Sequence, residues 1–91
     1  MHEESYRVAE QRVKGLVEAI LAKNSVAAPI SSEHNLVDVG LTSVDMVNLM
    51  LAVEAEFGLT IPRADITPEN FRSIMTIGAL VARLTAPAPA S

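Results

Sequence analysis

The sequence predicts an all-α fold, a small and mostly helical bundle, on three observations. Apolar residues recur at helical spacing in separate stretches, and no stretch alternates with the period of a strand. Nearly half of the 91 residues are apolar but only one Tyr and two Phe are aromatic, so the core is built from Val, Leu, Ile, Met and Ala, which suit small packed helices. The five prolines fall between the helical stretches, at the start of one, or in the tail. A chain of this length has room for one core, expected over residues 1–85, with an Ala-Pro-rich, disordered tail at 86–91.

The first helix is expected over residues 4–23. Val13, Leu16, Val17, Ile20 and Leu21 form one apolar stripe, Glu3 and Glu4 lie at the positive end of the helix dipole, and Lys23 lies at the negative end. Residues 24–42 then read as a long loop punctuated by Pro29, Ser31, Ser32, Asn35 and Gly40. A loop of that length needs its own apolar anchors, and Leu36 and Val39 fit that need.

The second helix is expected from Ser43 to Phe57, stopped by Gly58 in the left-handed conformation. Thr42 and Asp45 have the spacing of a capping box, each satisfying the other's amide. Val47, Met50, Leu51 and Phe57 are expected to form much of its buried side, with Leu49 and Val53 filling in. The helix is apolar over more than one stripe, so some of these must be only partly covered. Thr67-Pro68-Glu69 reads as a cap followed by proline at a first helical position, placing a short helix at 68–73. A last helix is expected to be capped by Thr76 and to run through Leu84, with Ile77, Leu80, Val81 and Leu84 inward.

Several classes of chemistry find no residues. Cysteine is absent, which excludes disulfides and thiolate catalysis. His2 and His34 have neither metal-ligand spacing nor an obvious carboxylate partner. Glu54 and Glu56, two apart on a helix, diverge and make a poor acid–base pair. No phosphate-cradling glycine loop is present, so an enzyme is not expected. Without a secretory segment or a long apolar run, a cytoplasmic location is expected. The net charge of −4 is uneven. Between Asn24 and Pro62 there is no Lys or Arg, while Glu33, Asp38, Asp45, Glu54 and Glu56 give that block −5 and leave the remainder at +1. Such a block repels nucleic acid and anionic lipid and suits a basic protein surface, although an ordinary solvated face carries the same pattern.

One segment remains, Gly40-Leu41-Thr42-Ser43-Val44-Asp45. Gly40 permits a sharp turn, and Ser43 stands in the first turn of a helix, where a phosphate ester is favoured by free amides and the dipole. On the local pattern alone, both hydroxyls read first as plain helix caps. The wider segment, DVGLTSVDMVNLMLAVEAEFGLTIP, resembles the central motif of the acyl and peptidyl carrier family, Asp-x-Gly-x-Asp-Ser-Leu, then Glu-x-x-Phe, then Ile-Pro. Asp38, Gly40, Ser43, Asp45, Glu54, Phe57, Ile61 and Pro62 fall at matching positions, and the resemblance extends from about residue 8 to residue 84.

The resemblance implies a four-helix bundle of acyl-carrier-protein type, with a long loop between helices 1 and 2 and a short third helix. It implies no catalysis by the chain itself. A phosphopantetheinyl transferase would place 4′-phosphopantetheine from coenzyme A on Ser43. An amino-acid- or acyl-activating ligase would load the arm with a thioester, and a downstream acyl acceptor enzyme would unload it. The expected state is a monomer, with no membrane, nucleic-acid or metal partner. Docking would fall on Asp38 and Thr42 beside the serine and on the following helix, with Asp45, Glu54 and Glu56 as charges and Val44, Met46 and Val47 as apolar contacts.

The chain departs from the family pattern in places. Thr42 stands where Asp is usual, which keeps the cap but removes a charge. Asn48, Ala55 and Arg63 stand where acids are common in fatty-acid carriers. The stretch RADITPENFRSIM, with Phe71, is longer than in that type and resembles stand-alone aminoacyl and D-alanyl carrier proteins. Amino-acyl cargo is therefore expected ahead of fatty or polyketide acyl groups. From another class, an unmodified helical module docking a basic partner remains a competing reading.

Overall fold

The computed structural model describes residues 2–24 and 30–85, with side chains from Arg7 onward. Three α-helices follow one another: α1 His2–Lys23, α2 Ser43–Phe57 and α3 Ile74–Thr85, with a 3₁₀ turn at Arg63–Asp65. The tail expected to be disordered, residues 86–91, lies outside the described residues, as does part of the first loop, 25–29.

The long connections, like the helices, supply the core. Val13, Val17 and Leu21 of α1, Leu49 and Val53 of α2, and Ile74, Ile77, Leu80 and Val81 of α3 are buried together with Leu36, Leu41, Ile61 and Phe71. α1 packs mainly on α3 and less extensively on α2. Gly78 allows the first of these contacts, since a Cβ there would lie 3.1 Å from the Cα of Glu10. The first loop is bound down as its apolar residues predict, with Leu36 inside and Val39 partly covered. Two backbone bonds tie it to the start of α3: the Leu36 amide donates to Arg72 O (2.8 Å), and the Met75 amide donates to Ser32 O (2.9 Å). The turn preceding α2 closes through Gly40, whose φ of 115° favours glycine.

α2 begins and ends as its sequence dictates. Thr42 is the N-cap in extended backbone, the reciprocal Thr42–Asp45 box is formed, and Gly58 terminates the helix in the left-handed region at φ 62°. Its buried side differs from the expectation: Leu49 and Val53 point inward, Met50 and Phe57 are partly covered, and Val47 and Leu51 face solvent. With two apolar stripes available, the packing against α1 and α3 selects the one through Leu49 and Val53.

The short third helix expected at 68–73 is a turn. Thr67 does cap it, accepting from the Asn70 amide at Oγ1 (3.2 Å) and from the Phe71 amide at its carbonyl (3.2 Å). Continuation fails because the Ser73 amide, which in a helix would donate to Glu69 O, donates instead to Thr76 Oγ1 (2.9 Å), and Ser73 becomes the cap of α3. A single turn gives too few hydrogen bonds to offset its ordering. Ser73 also displaces Thr76 from its expected role. Ser73 Oγ accepts from the Thr76 amide (3.2 Å) while Thr76 Oγ1 accepts from the Ser73 amide (2.9 Å), so α3 starts three residues early with Thr76 in the third position.

Candidate functional site

Ser43 is the first residue of α2 and is exposed. The residues on either side hold its backbone. Thr42 Oγ1 accepts from the Asp45 amide (3.2 Å), Asp45 Oδ2 accepts from the Thr42 amide (3.0 Å), and Thr42 O accepts from the Met46 amide (2.9 Å). Asn24, at the end of α1, adds a bond from Nδ2 to Asp45 Oδ2 (2.8 Å) and ties the box to the bundle. These donors, the Thr42 amide first and Asn24 second, hold the Asp45 carboxyl below its ordinary value.

Among the described residues the amides of Ser43 and Val44 have no hydrogen-bond partner. An exposed hydroxyl thus stands beside two free N–H donors at the positive end of a 15-residue helix. A phosphodiester on that hydroxyl fits: it would be solvated, unobstructed and favoured by the dipole. The anion meets no nearby carboxylate on the preceding residue, because that residue is Thr42.

The other expected site residues divide into two groups. Val44 and Val47 are exposed and follow Ser43 along one face of α2, while Met46 is partly covered and lines an adjoining groove of about 590 Å³. Asp38 is exposed in the turn before α2, its amide bonded to Asn35 O (3.0 Å). The two glutamates, however, have partners within the chain. Glu54 Oε2 accepts from the Ile61 amide (2.8 Å) and fastens the end of α2 to the connection beyond it. Glu56 Oε2 accepts from Arg12 Nε (2.8 Å), and the same guanidinium lies 4.8 Å from the centre of the Phe57 ring.

Sequence reasoning missed Leu51 as an exposed residue, and Val37 and Ile66 as exposed apolar residues that line the groove with Met46, Val47 and Met50. The i, i+3, i+7 spacing of Val44, Val47 and Leu51 was a readable stripe, but nothing local marked it as the outer one. His34 is an exposed loop residue whose Nδ1 accepts from the Ser31 amide (3.1 Å). Among the described residues no group of acidic, His or Cys side chains is arranged to hold a metal, and no helix is long and apolar enough to cross a membrane.

Comparison with known proteins agrees with this geometry. Residues 11–84 match the family described as the phosphopantetheine attachment site. The chain is 54% identical over 80 residues to aminoacyl carrier protein 1 of Bradyrhizobium diazoefficiens, covering 88% of this chain and 89% of that one. It is 44% identical over 81 residues to aminoacyl carrier protein 2 of the same organism, covering 89% and 90%. Among solved structures it resembles the carrier protein in the crystal structure of Bradyrhizobium japonicum glycine:[carrier protein] ligase complexed with glycylated carrier protein. There the TM-score is 0.75 at 49% identity, covering 80% of this chain and 97% of the other. The complex of that ligase with its cognate carrier protein and an analogue of glycyl adenylate gives a TM-score of 0.77, also at 49% identity, covering 84% and 97%. The fold, the exposed serine at a capped helix start and these relatives agree: the chain belongs to the phosphopantetheine attachment family, in its group of aminoacyl carrier proteins.

Proposed function

We propose that Ser43 is the residue that receives 4′-phosphopantetheine, and that the chain presents an amino-acyl group on that arm to partner enzymes in the cytoplasm. The observation that carries the assignment is the exposed hydroxyl beside two unpartnered amides at the capped start of α2. In the transfer, the Ser43 hydroxyl gives up its proton, its oxygen bonds to the phosphorus of coenzyme A that bears the pantetheine, and the nucleotide leaves with the other phosphate. When bound, the arm supplies a terminal thiol that holds cargo as a thioester.

The chain's own residues orient and expose; they do not catalyse. Thr42 and Asp45 fix the backbone on both sides of Ser43, and Gly40 and Leu41 bring the loop to it. The relatives named aminoacyl carrier proteins and the glycylated neighbour favour an amino acid over a fatty or polyketide acyl group. An amino-acyl thioester carries an ammonium group that resists burial, so the loaded end is expected outside the core. Ile61 is sealed in the core while Val47 faces solvent, so these residues do not form one entrance for cargo beside Met50.

Intact-mass analysis of the protein isolated from its own cell tests the proposal. The expected result is one phosphopantetheine arm, located to Ser43 by fragmentation, carrying an amino-acyl increment that neutral hydroxylamine removes. A fatty-acyl increment, or an unmodified chain in cells where transferase is active, would overturn it.

A further inference from the structure

We infer that Asn24 is a positioning residue for attachment of the arm: its side chain, reaching from the end of α1 to Asp45, holds the turn that carries Ser43 in one pose on the bundle. The inference rests on Ser43 as the attachment residue and adds the residue that sets where that serine stands.

Packing alone holds this turn loosely. Leu41 is buried immediately before it, and the next buried side chain along the sequence is Leu49 of α2. Across residues 42–48 no side chain is buried, and Met46 leans on the core from a partly covered position. The Thr42–Asp45 box does not supply the missing anchor. Its bonds join residues three apart, so they fix the shape of the turn and not its place. Among the described residues, one hydrogen bond links residues 42–46 to another element, from Asn24 Nδ2 to Asp45 Oδ2 (2.8 Å).

The donor stands on a firm base. The Asn24 amide donates to Ile20 O (3.2 Å) and Leu21 O (3.0 Å), and Val17 and Leu21 of the same helix are buried. Asn24 thus extends the rigid part of α1 to the turn of the serine. A side-chain amide suits the task. It gives one bond to the carboxylate without cancelling its charge, so Asp45 still complements the positive end of α2. A transferase has to bring the Ser43 hydroxyl against the phosphorus of coenzyme A, and a misplacement of about 1 Å slows such a step by up to about a hundredfold. A turn that drifts relative to the rest of the bundle meets that penalty, and the Asn24–Asp45 bond limits the drift.

The test compares the apo-chain with its Asn24→Ala and Asn24→Asp variants as substrates for a phosphopantetheinyl transferase and coenzyme A, below the melting transition of every protein. Asn24 is exposed, so both variants should fold. Asn24→Ala is expected to lose about fivefold or more in kcat/KM for the chain, with KM for coenzyme A within about twofold. Asn24→Asp keeps the size, removes the donor and sets a second carboxylate beside Asp45, so it should lose at least as much. In an Asp45→Ala background, Asn24→Ala should add less than about twofold, because the two residues act through one bond. Backbone amide relaxation of Asn24→Ala should show mobility rising at residues 42–46 and unchanged at Leu49 and Val53. Unchanged transfer to both Asn24 variants, a full further loss in the Asp45→Ala background, or unaltered relaxation at residues 42–46 would each overturn the inference while leaving Ser43 as the attachment residue. An unsubstituted chain that takes no arm is a separate result, which overturns the attachment reading and this inference with it.

Discussion

Thr42 and Asp45 cap one another across Ser43: the Asp45 amide donates to Thr42 Oγ1 (3.2 Å) while the Thr42 amide donates to Asp45 Oδ2 (3.0 Å). The serine thus lies inside a closed ring of two hydrogen bonds, which fixes its backbone and leaves its side chain outside. Replacing Thr42 with Ala should lower stability by about 1 kcal/mol in chemical denaturation, the usual loss for an N-cap hydroxyl. Thr42→Asp should restore stability, since Asp caps as well as Thr. Equal stability of all three proteins would mean the box is dispensable.

The same pair makes stability depend on acid. Because the Thr42 amide and Asn24 lower the Asp45 pKa in the folded protein, folding favours the ionised carboxylate. That contribution is complete above the ordinary carboxylate range near about 4 and disappears as pH falls through the lowered folded value. The melting temperature of Asp45→Ala should therefore lie below that of the unsubstituted chain at neutral pH, and the gap should narrow in strong acid. A gap of constant size across that range would contradict the linkage.

Ser43→Ala should separate function from folding. Its hydroxyl is exposed at the first helical position, so the melting curve should shift by no more than about 0.5 kcal/mol. Incubation with coenzyme A and a phosphopantetheinyl transferase should add one arm to the unsubstituted chain and none to the variant. An arm on the variant would relocate the attachment site.

Glu54 makes a structural contact where a docking charge was expected. Its carboxylate receives the Ile61 amide at 2.8 Å, and removing it leaves that amide without its acceptor. Glu54→Ala should destabilise the fold by about 1–3 kcal/mol, the range for a lost charge-assisted bond to a partly buried amide. Denaturation midpoints measure this directly; a neutral result would return Glu54 to the surface charges.

Gly78 packs against α1 with no room for a side chain. Although valine is a better helix former than glycine, its Cβ would press on the Glu10 backbone at 3.1 Å. Gly78→Val should cost about 1–3 kcal/mol through this overpacking, read as a lower denaturation midpoint. A stabilised variant would show that α1 and α3 can separate cheaply.

The sequence reveals most where a signal is local. The Thr42–Asp45 box, the Gly58 stop and the stripe through Val13, Val17 and Leu21 are each specified within a few residues, and each forms as expected. It reveals less where the outcome depends on a distant partner. Whether Glu54 faces a partner depends on an amide seven residues later. The two apolar stripes of α2 could be distinguished only once α1 and α3 were in place. The arm's site was visible through its motif; the exposure of Leu51 on the same helix was not.

The two bonds from the first loop to the start of α3 have a mechanical consequence. Leu36 and Ser32 are sewn to Arg72 and Met75, so the strap leading into the attachment point is hemmed at its middle by a helix dozens of residues away. A pull on the arm is therefore borne by the bundle as a whole instead of by a slack tether. Each time a partner lets go of the thiol, the serine is left where the next one will look for it.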